Sequence, residues 1–317
     1  MRAAKALRAI AAVALLGLAL WWAGPAEVWR AATGARGEWI LAALGLVAID
    51  RALNAYRWIA LLDPILGDRR PPLAAILRIF FVSTYLGTFL PGSVGGDAVR
   101  TFALNRLQVP AADAFASVFL DRFLGIVANL MMAIAGLAVA RDLADDPVVR
   151  AGLLMTAAIC LVAAALIFSR HTARASTGLA QRLPGRRAGT ITARLVGGLQ
   201  RYASEPKVLA AVLTASIAVQ ILRVLQAYFL GRALGIDLPV TAYFAFIPPI
   251  LIVMMMPITI FGLGTSQVAF VALFSRANVA NADAFALSVL FLALGAAGNL
   301  PGAFLSAVTP RDEAPVA

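Results

Sequence analysis

The chain spends one of its 317 residues on cysteine and one on histidine. Cys160 lies inside an apolar run, so neither a disulfide framework nor a cysteine-based zinc site can form. A single histidine, His171, excludes a histidine-rich metal site and argues against a Ser-His nucleophile. No G-x-x-x-x-G-K-[ST] run occurs, which removes an ATP-binding loop of that kind. No cofactor is expected. Charge is scarce as well: 14% of residues are charged and 62% are hydrophobic, far from a soluble domain. The net charge of +11 invites a nucleic-acid reading. The Lys and Arg residues sit mainly between apolar runs, however, where cytoplasmic loops of membrane proteins are basic. A nucleic-acid partner is therefore not expected.

What the chain has in quantity is apolar runs long enough to cross about 30 Å of hydrocarbon as helices. The expected fold is an all-α polytopic membrane protein, a single integral membrane domain over 1–317, with six full crossings. These fall at about 7–24, 38–62, 114–140, 150–168, 208–232 and 283–308. The basic start at Arg2, Lys5 and Arg8 resembles a signal peptide, but Trp21-Trp22 and the missing small-x-small site favour a retained first helix. Two further apolar stretches are interrupted. Residues 77–106 break at Pro91-Gly92 and Gly96, and residues 242–276 break at Pro257 and Gly262-Leu263-Gly264. Each arm is too short to cross alone, so two re-entrant helical hairpins facing a central cavity are expected. A cytoplasmic N-terminus puts 17 Lys and Arg inside against six outside (Arg30, Arg36, Arg141, Arg150, Arg232, Arg276), with Arg51, Arg57, Arg122 and Arg223 within spans. Both termini are expected on the cytoplasmic face of the inner membrane. The hydrophilic stretch 169–207 reads as a basic cytoplasmic loop or as an interfacial helix on anionic lipid.

The chain also repeats itself. Residues 92–130 laid ungapped on 262–300 give 13 identities in 39 positions, among them Arg106/Arg276, Asp113/Asp283, Gly125/Gly295 and Asn129/Asn299. Repeat one is read at about 77–140 and repeat two at about 242–308. The crossing count makes the first hairpin enter from the cytoplasm and the second from outside. The repeats are then inverted, the arrangement that suits alternating access.

The first break reads Leu90-Pro91-Gly92-Ser93-Val94-Gly95-Gly96-Asp97, with Arg100 a turn further on. A helix restarting there presents free N–H groups to phosphate or carboxylate. Gly92, Gly95, Gly96, Asp97 and Arg100 are thus candidate substrate residues, or else a tight turn whose glycines permit close packing. In the second break Gly262, Gly264 and Gln267 hold the matching places, Gln267 standing opposite Asp97. Charged residues within spans face a cavity or a partner. Asp121, Arg122 and Arg223 are the candidates there, with Gln220 and Gln226 flanking Arg223. A structural ion pair of Arg122 or Arg223 with Asp97 or Asp121 is the rival reading. Asp50, Asn54 and Arg57 share one helix face, unless Arg57 snorkels to the interface. Met254–Met256 is either plain packing or an adaptable wall for acyl chains.

Three runs resemble the lysylphosphatidylglycerol synthase transmembrane region, a family of flippase-like membrane proteins. They are L-P-G-S-V-G-G-D-A-V-R at 90–100, F-L-D-R-F-L-G at 119–125 and P-I-T-I-F-G-L-G-T at 257–265. The resemblance implies movement of a lipid between leaflets. Its partners would be anionic or aminoacylated phospholipid, or a polyprenyl-phosphate lipid. Ser266-Gln267 stand where that family commonly carries Arg-Glu, which argues against a paired-carboxylate mechanism. No soluble aminoacyl-transferase domain fits within these residues, so an enzyme of lipid synthesis is not expected. The competing classes are a small-solute secondary transporter and a membrane-embedded enzyme of polyprenyl-phosphate sugars using Asp97 or Asp121.

Overall fold

A computed structural model describes residues 33–66, 71–89, 94–139, 147–169, 195–255 and 263–307, with Ala26, Trp29 and Gly178. The expected crossing at 7–24, most of the 169–207 segment, and Gly92, Met256, Pro257 and Gly262 lie outside the described residues. The order is α1 (Gly37–Leu66), α2 (Leu73–Phe89), α3 (Val94–Arg106), α4 (Ala111–Val139) and α5 (Pro147–Phe168). After it come α6 (Pro206–Ala233), α7 (Val240–Met255), α8 (Thr265–Phe274), α9 (Asn281–Ala297) and α10 (Leu300–Ala307). No strand occurs among the described residues. The chain is an all-α polytopic membrane protein. Gly37–Leu66, Ala111–Ala138, Pro206–Ala233 and Asn281–Ser306 are long and apolar enough to cross a membrane. α5, 22 residues long, falls on the expected crossing at 150–168.

The two interrupted stretches are helical hairpins, α2 against α3 and α7 against α8. Their arms hold 17, 13, 16 and 10 residues. At about 1.5 Å per residue none exceeds roughly 26 Å. In the first hairpin the arms touch backbone to backbone. A Cβ on Gly96 would lie 2.8 Å from the Ser83 carbonyl oxygen, and one on Gly87 would lie 3.1 Å from Gly96 Cα.

A shift of 170 positions lays α1–α4 on α6–α10, so the recurring unit takes in the helix before each hairpin. The turn after each hairpin closes the same way. Gln108 and Asn278, 170 apart, are the non-glycine residues with positive φ among the described residues, at 64° and 60°. Beside them Val109 N–H donates to Leu104 O at 3.2 Å and Val279 N–H to Phe274 O at 3.3 Å, a Schellman-type close that satisfies helix-end carbonyls. The equivalent helices α1 and α6 are antiparallel partners. Arg36 N–H, at the α1 start, donates to Ala233 O at the α6 end (2.9 Å). At the other end the Tyr202 hydroxyl, just before α6, donates to Leu61 O (2.5 Å). The halves therefore run in opposite directions. They also exchange contacts: α4 packs on α7, and α10 packs on α2. Both contacts rest on a glycine, Gly136 against the Phe244–Ala245 backbone and Gly302 against the Phe81 carbonyl. Pro248 and Pro249 lack the N–H groups that would bond the carbonyls of Phe244 and Ala245, so α4 approaches α7 where its backbone is already opened.

The expected single crossing over 283–308 is interrupted. The helix pauses at Gly298-Asn299 between α9 and α10, while the counterpart α4 runs through. Pro301, where α4 has Met131, supplies no amide hydrogen to the preceding turn. Gly298 uses the pause to press against Val47 and Arg51 of α1.

Gly136→Ala should lower thermal stability in detergent by about 1–3 kcal/mol, because its methyl would overlap the α7 backbone. Gly45→Ala, with nothing within 4 Å of the new methyl, should leave the melting temperature unchanged or raise it. Equal melting shifts for the two variants would contradict this packing.

Candidate functional site

Between the halves lies a cavity of about 340 Å³ bounded by α1, the first hairpin, α4, α6, α7 and α9. Among the described residues its charged lining is five arginines (Arg51, Arg57, Arg100, Arg122, Arg223) and three aspartates (Asp50, Asp97, Asp121). Every aspartate has an arginine partner. Asp97, in the first turn of α3, gives both oxygens to Arg122 of α4, accepting from Nε at 2.8 Å and Nη2 at 3.0 Å. Asp121 lies between two guanidiniums, with Arg57 Nη2 at 2.8 Å and Arg100 Nη1 at 3.5 Å. Asp50 lies between two more, Arg51 Nη1 at 3.1 Å and Arg223 Nε at 3.4 Å. Asn54 joins the two groups. Its Nδ2 donates to Asp50 Oδ2 (3.2 Å), and its Oδ1 accepts from Arg57 Nη1 (3.0 Å). An unbroken polar chain thus runs Arg223–Asp50–Asn54–Arg57–Asp121–Arg100, from α6 through α1 and α4 to α3.

The arginines differ in exposure. Arg57 and Arg100 are buried, their side chains 5% and 7% exposed, whereas Arg122 and Arg223 open to the cavity at 41% and 32%. Arg100 is further held over the rings of Trp58 (4.7 Å) and Phe80 (4.9 Å), the cation–π placement that offsets part of a guanidinium's lost hydration. Arg57 also donates to the Asp121 carbonyl at 2.6 Å, and α4 accepts this approach because residue 125 is glycine, where a Cβ would sit 3.2 Å from Arg57 Nη2.

Two of the pairs shared by the repeat, Gly125/Gly295 and Asn129/Asn299, line this same cavity. Gly125 O accepts from Gln220 of α6 (3.2 Å), and its counterpart Gly295 O accepts from Arg51 of α1 (3.1 Å). Asn129 Nδ2 donates to Pro248 O in α7 (3.2 Å), and its counterpart Asn299 donates to Thr88 in α2 (2.8 Å). In each pair the partner comes from the opposite half. The charged lining comes from α1, α3, α4 and α6, whereas α7 and α9 contribute the apolar Leu251, Met254, Met255, Phe291 and Leu292.

Of the residues expected from sequence, the cavity gathers Gly96, Asp97, Arg100, Asp121, Arg122 and Arg223, with Gln220 and Gln226. Arg122 both faces the cavity and pairs with Asp97. Arg223 pairs with Asp50, not with Asp97 or Asp121, and Arg57 is buried against Asp121 instead of snorkelling outward. Gly95, Gly264 and Gln267 do not line the cavity. Gln267 is fully buried and closes its own helix start, its Oε1 accepting from Gly264 N–H (2.6 Å) and the Ser266 hydroxyl (3.1 Å). With no charge to place, its amide serves the backbone of α8, where Asp97 reaches across to α4. Gly92 and Gly262 lie outside the described residues. Arg51 and the threonines of α2 were missed. The signal for Arg51 was its place beside Asp50 in a span where any charge requires a partner.

This fold and cavity define a polytopic α-helical membrane protein with a cationic chamber between two antiparallel halves. Over residues 9–302 the sequence matches the family described as the lysylphosphatidylglycerol synthase TM region, and the chain belongs to it. No curated protein matches the chain.

Asp121→Asn should destabilise the protein by about 3–5 kcal/mol, because it strands Arg57 and Arg100 in a buried site. Adding Arg100→Gln should restore part of that loss, read as a positive coupling in a thermal-unfolding double-mutant cycle. Strict additivity would mean that the 3.5 Å pair carries no interaction.

Proposed function

We propose that this protein moves a lipid between the leaflets of the cytoplasmic membrane, its headgroup held in the chamber between the two halves. The observation that carries this reading is the mixed lining: guanidiniums from α1, α3, α4 and α6, and Leu251, Met254, Met255, Phe291 and Leu292 from α7 and α9. A phosphate with the first carbons of its chains needs both kinds of lining, whereas a small soluble anion needs only the charged one. Membership of a family named for a phospholipid synthase's membrane region supports the same direction. The antiparallel halves supply a physical route for exchange. The repeat-related Asn129 and Asn299 each reach a hairpin helix of the opposite half, α7 and α2, so a rocking motion would exchange contacts of this kind.

Transport, not catalysis, suits the carboxylates. Each of the three is engaged by arginine, so none stands free as a base. In this reading Arg122 and Arg223, the open cations, meet the headgroup first, and Asp97 releases Arg122 to it. Arg57 and Arg100 stay in place and hold the field. The driving force comes from gradients or partners, and the termini face the cytoplasm.

The test is translocation of a fluorescent phospholipid in proteoliposomes, read by dithionite quenching. Wild type should exceed protein-free vesicles. Arg122→Gln and Arg223→Gln should each slow transfer at least about tenfold, the scale of one lost charge contact. Arg150→Gln, on the exposed start of α5, should match wild type. Wild-type rates equal to protein-free vesicles would remove lipid translocation.

A further inference from the structure

We infer, resting on the lipid reading above, that the group this chamber accepts is a phosphoryl group carrying two negative charges. A lipid phosphomonoester or diphosphate has that chemistry; a cationic aminoacylated headgroup is disfavoured. The argument is the charge inventory of the lining. Arg122 and Asp97 neutralise each other. The other two aspartates are each shared by two guanidiniums, Asp121 by Arg57 and Arg100, and Asp50 by Arg51 and Arg223. Each of these groups keeps one positive charge, so the chamber holds an excess of two.

Among the described residues nothing else in the lining offsets it. The remaining polar residues are the neutral Ser83, Thr84, Thr88, Asn54, Asn129, Asn299, Gln220 and Gln226. A buried charge without a counterion is expensive, and more so at membrane depth. The two groups are coupled through Asn54, so both feel an anion placed between Arg223 and Arg122. A phosphodiester brings one negative charge and leaves the excess half met. A phosphomonoester brings nearly two above its second ionisation, near pH 6, and meets it in full.

The lining's unpartnered acceptors do not reverse this preference. Asn129 Oδ1, Asn299 Oδ1 and Gln220 Oε1 are buried without a hydrogen-bond donor. They are neutral carbonyls, suited to water or a hydroxyl, and they bring no negative charge to an ammonium group set among five guanidiniums. Gln226 Nε2, also buried without a partner, adds a donor for a phosphoryl oxygen.

The experiment is calorimetric titration of the purified protein in a neutral detergent at pH 8.5. The probes are short-chain phosphatidic acid (a monoester), phosphatidylglycerol (a diester), lysylphosphatidylglycerol (cationic) and inorganic phosphate. Phosphatidic acid should bind at least about tenfold tighter than phosphatidylglycerol, with lysylphosphatidylglycerol weakest. Inorganic phosphate should bind more weakly than phosphatidic acid, because it leaves the apolar lining empty. Arg223→Gln should bring the monoester-to-diester ratio towards one while lipid still binds. Arg51→Gln serves as the second variant should the first fail to show a wild-type melting profile. Phosphatidylglycerol or lysylphosphatidylglycerol binding as tightly as phosphatidic acid would overturn the two-charge inference and leave the lipid reading standing. Inorganic phosphate binding as tightly as phosphatidic acid would keep the two-charge chemistry but move its source to a free anion, against the lipid reading. No binding by any probe would overturn both.

Discussion

The structure turns on the sharing of too few carboxylates among too many guanidiniums. A charged side chain inside a membrane protein is tolerated when a partner compensates it. Here two aspartates each serve two arginines, and the shared partners come from different helices. The chain Arg223–Asp50–Asn54–Arg57–Asp121–Arg100 therefore ties α6, α1, α4 and α3 together in the middle of the bundle. Trimming one aspartate strands two cations, so the network is brittle by construction. Its compensation is incomplete by the same arithmetic, and that remainder is what the proposed anionic headgroup would meet.

Around this network the fold supplies a frame that repeats after 170 residues and runs backwards in its second half. The frame is symmetric where it concerns backbone: the turns at Gln108 and Asn278, the carbonyls of Gly125 and Gly295, the cross-bonds of Asn129 and Asn299. It is asymmetric where it concerns charge. Asp97 at the α3 start reaches Arg122, while Gln267 at the α8 start folds back on Gly264. The start of α3 is thereby wired into the chamber, while the start of α8 closes on itself. Pro301 adds a mechanical difference, breaking α9 from α10 where α4 continues. The two halves thus match in backbone contacts and differ in charge.

Much of the frame was legible in the sequence, because long apolar runs and Pro/Gly interruptions act locally. The hairpins, the continuing helices and the shared Gly and Asn positions all follow from such signals. The repeat unit was read too short: α1 and α6 share little sequence, and their equivalence lies in position and packing. The site was legible in composition but not in pairing. The residues Asp97, Arg122, Asp121, Arg100 and Arg223 stood out, yet which carboxylate met which arginine depended on how α3 folds back on α4 and how α6 crosses α1. Asp97 and Arg122 lie 25 positions apart across a turn, and Asp50 and Arg223 lie 173 apart. Gln267 misled for a related reason. Its register with Asp97 is exact in the repeat, but an amide hydrogen-bonds as readily to its own helix start as to a ligand.

The most direct measurement is the identity of the lipids that stay with the protein through gentle purification, compared by mass spectrometry with the membrane they came from. If an incompletely compensated arginine network holds a lipid headgroup, a phosphate-bearing lipid is enriched with wild type and depleted with Arg223→Gln folded to the same extent. A profile that mirrors the bulk membrane in both proteins would contradict the account.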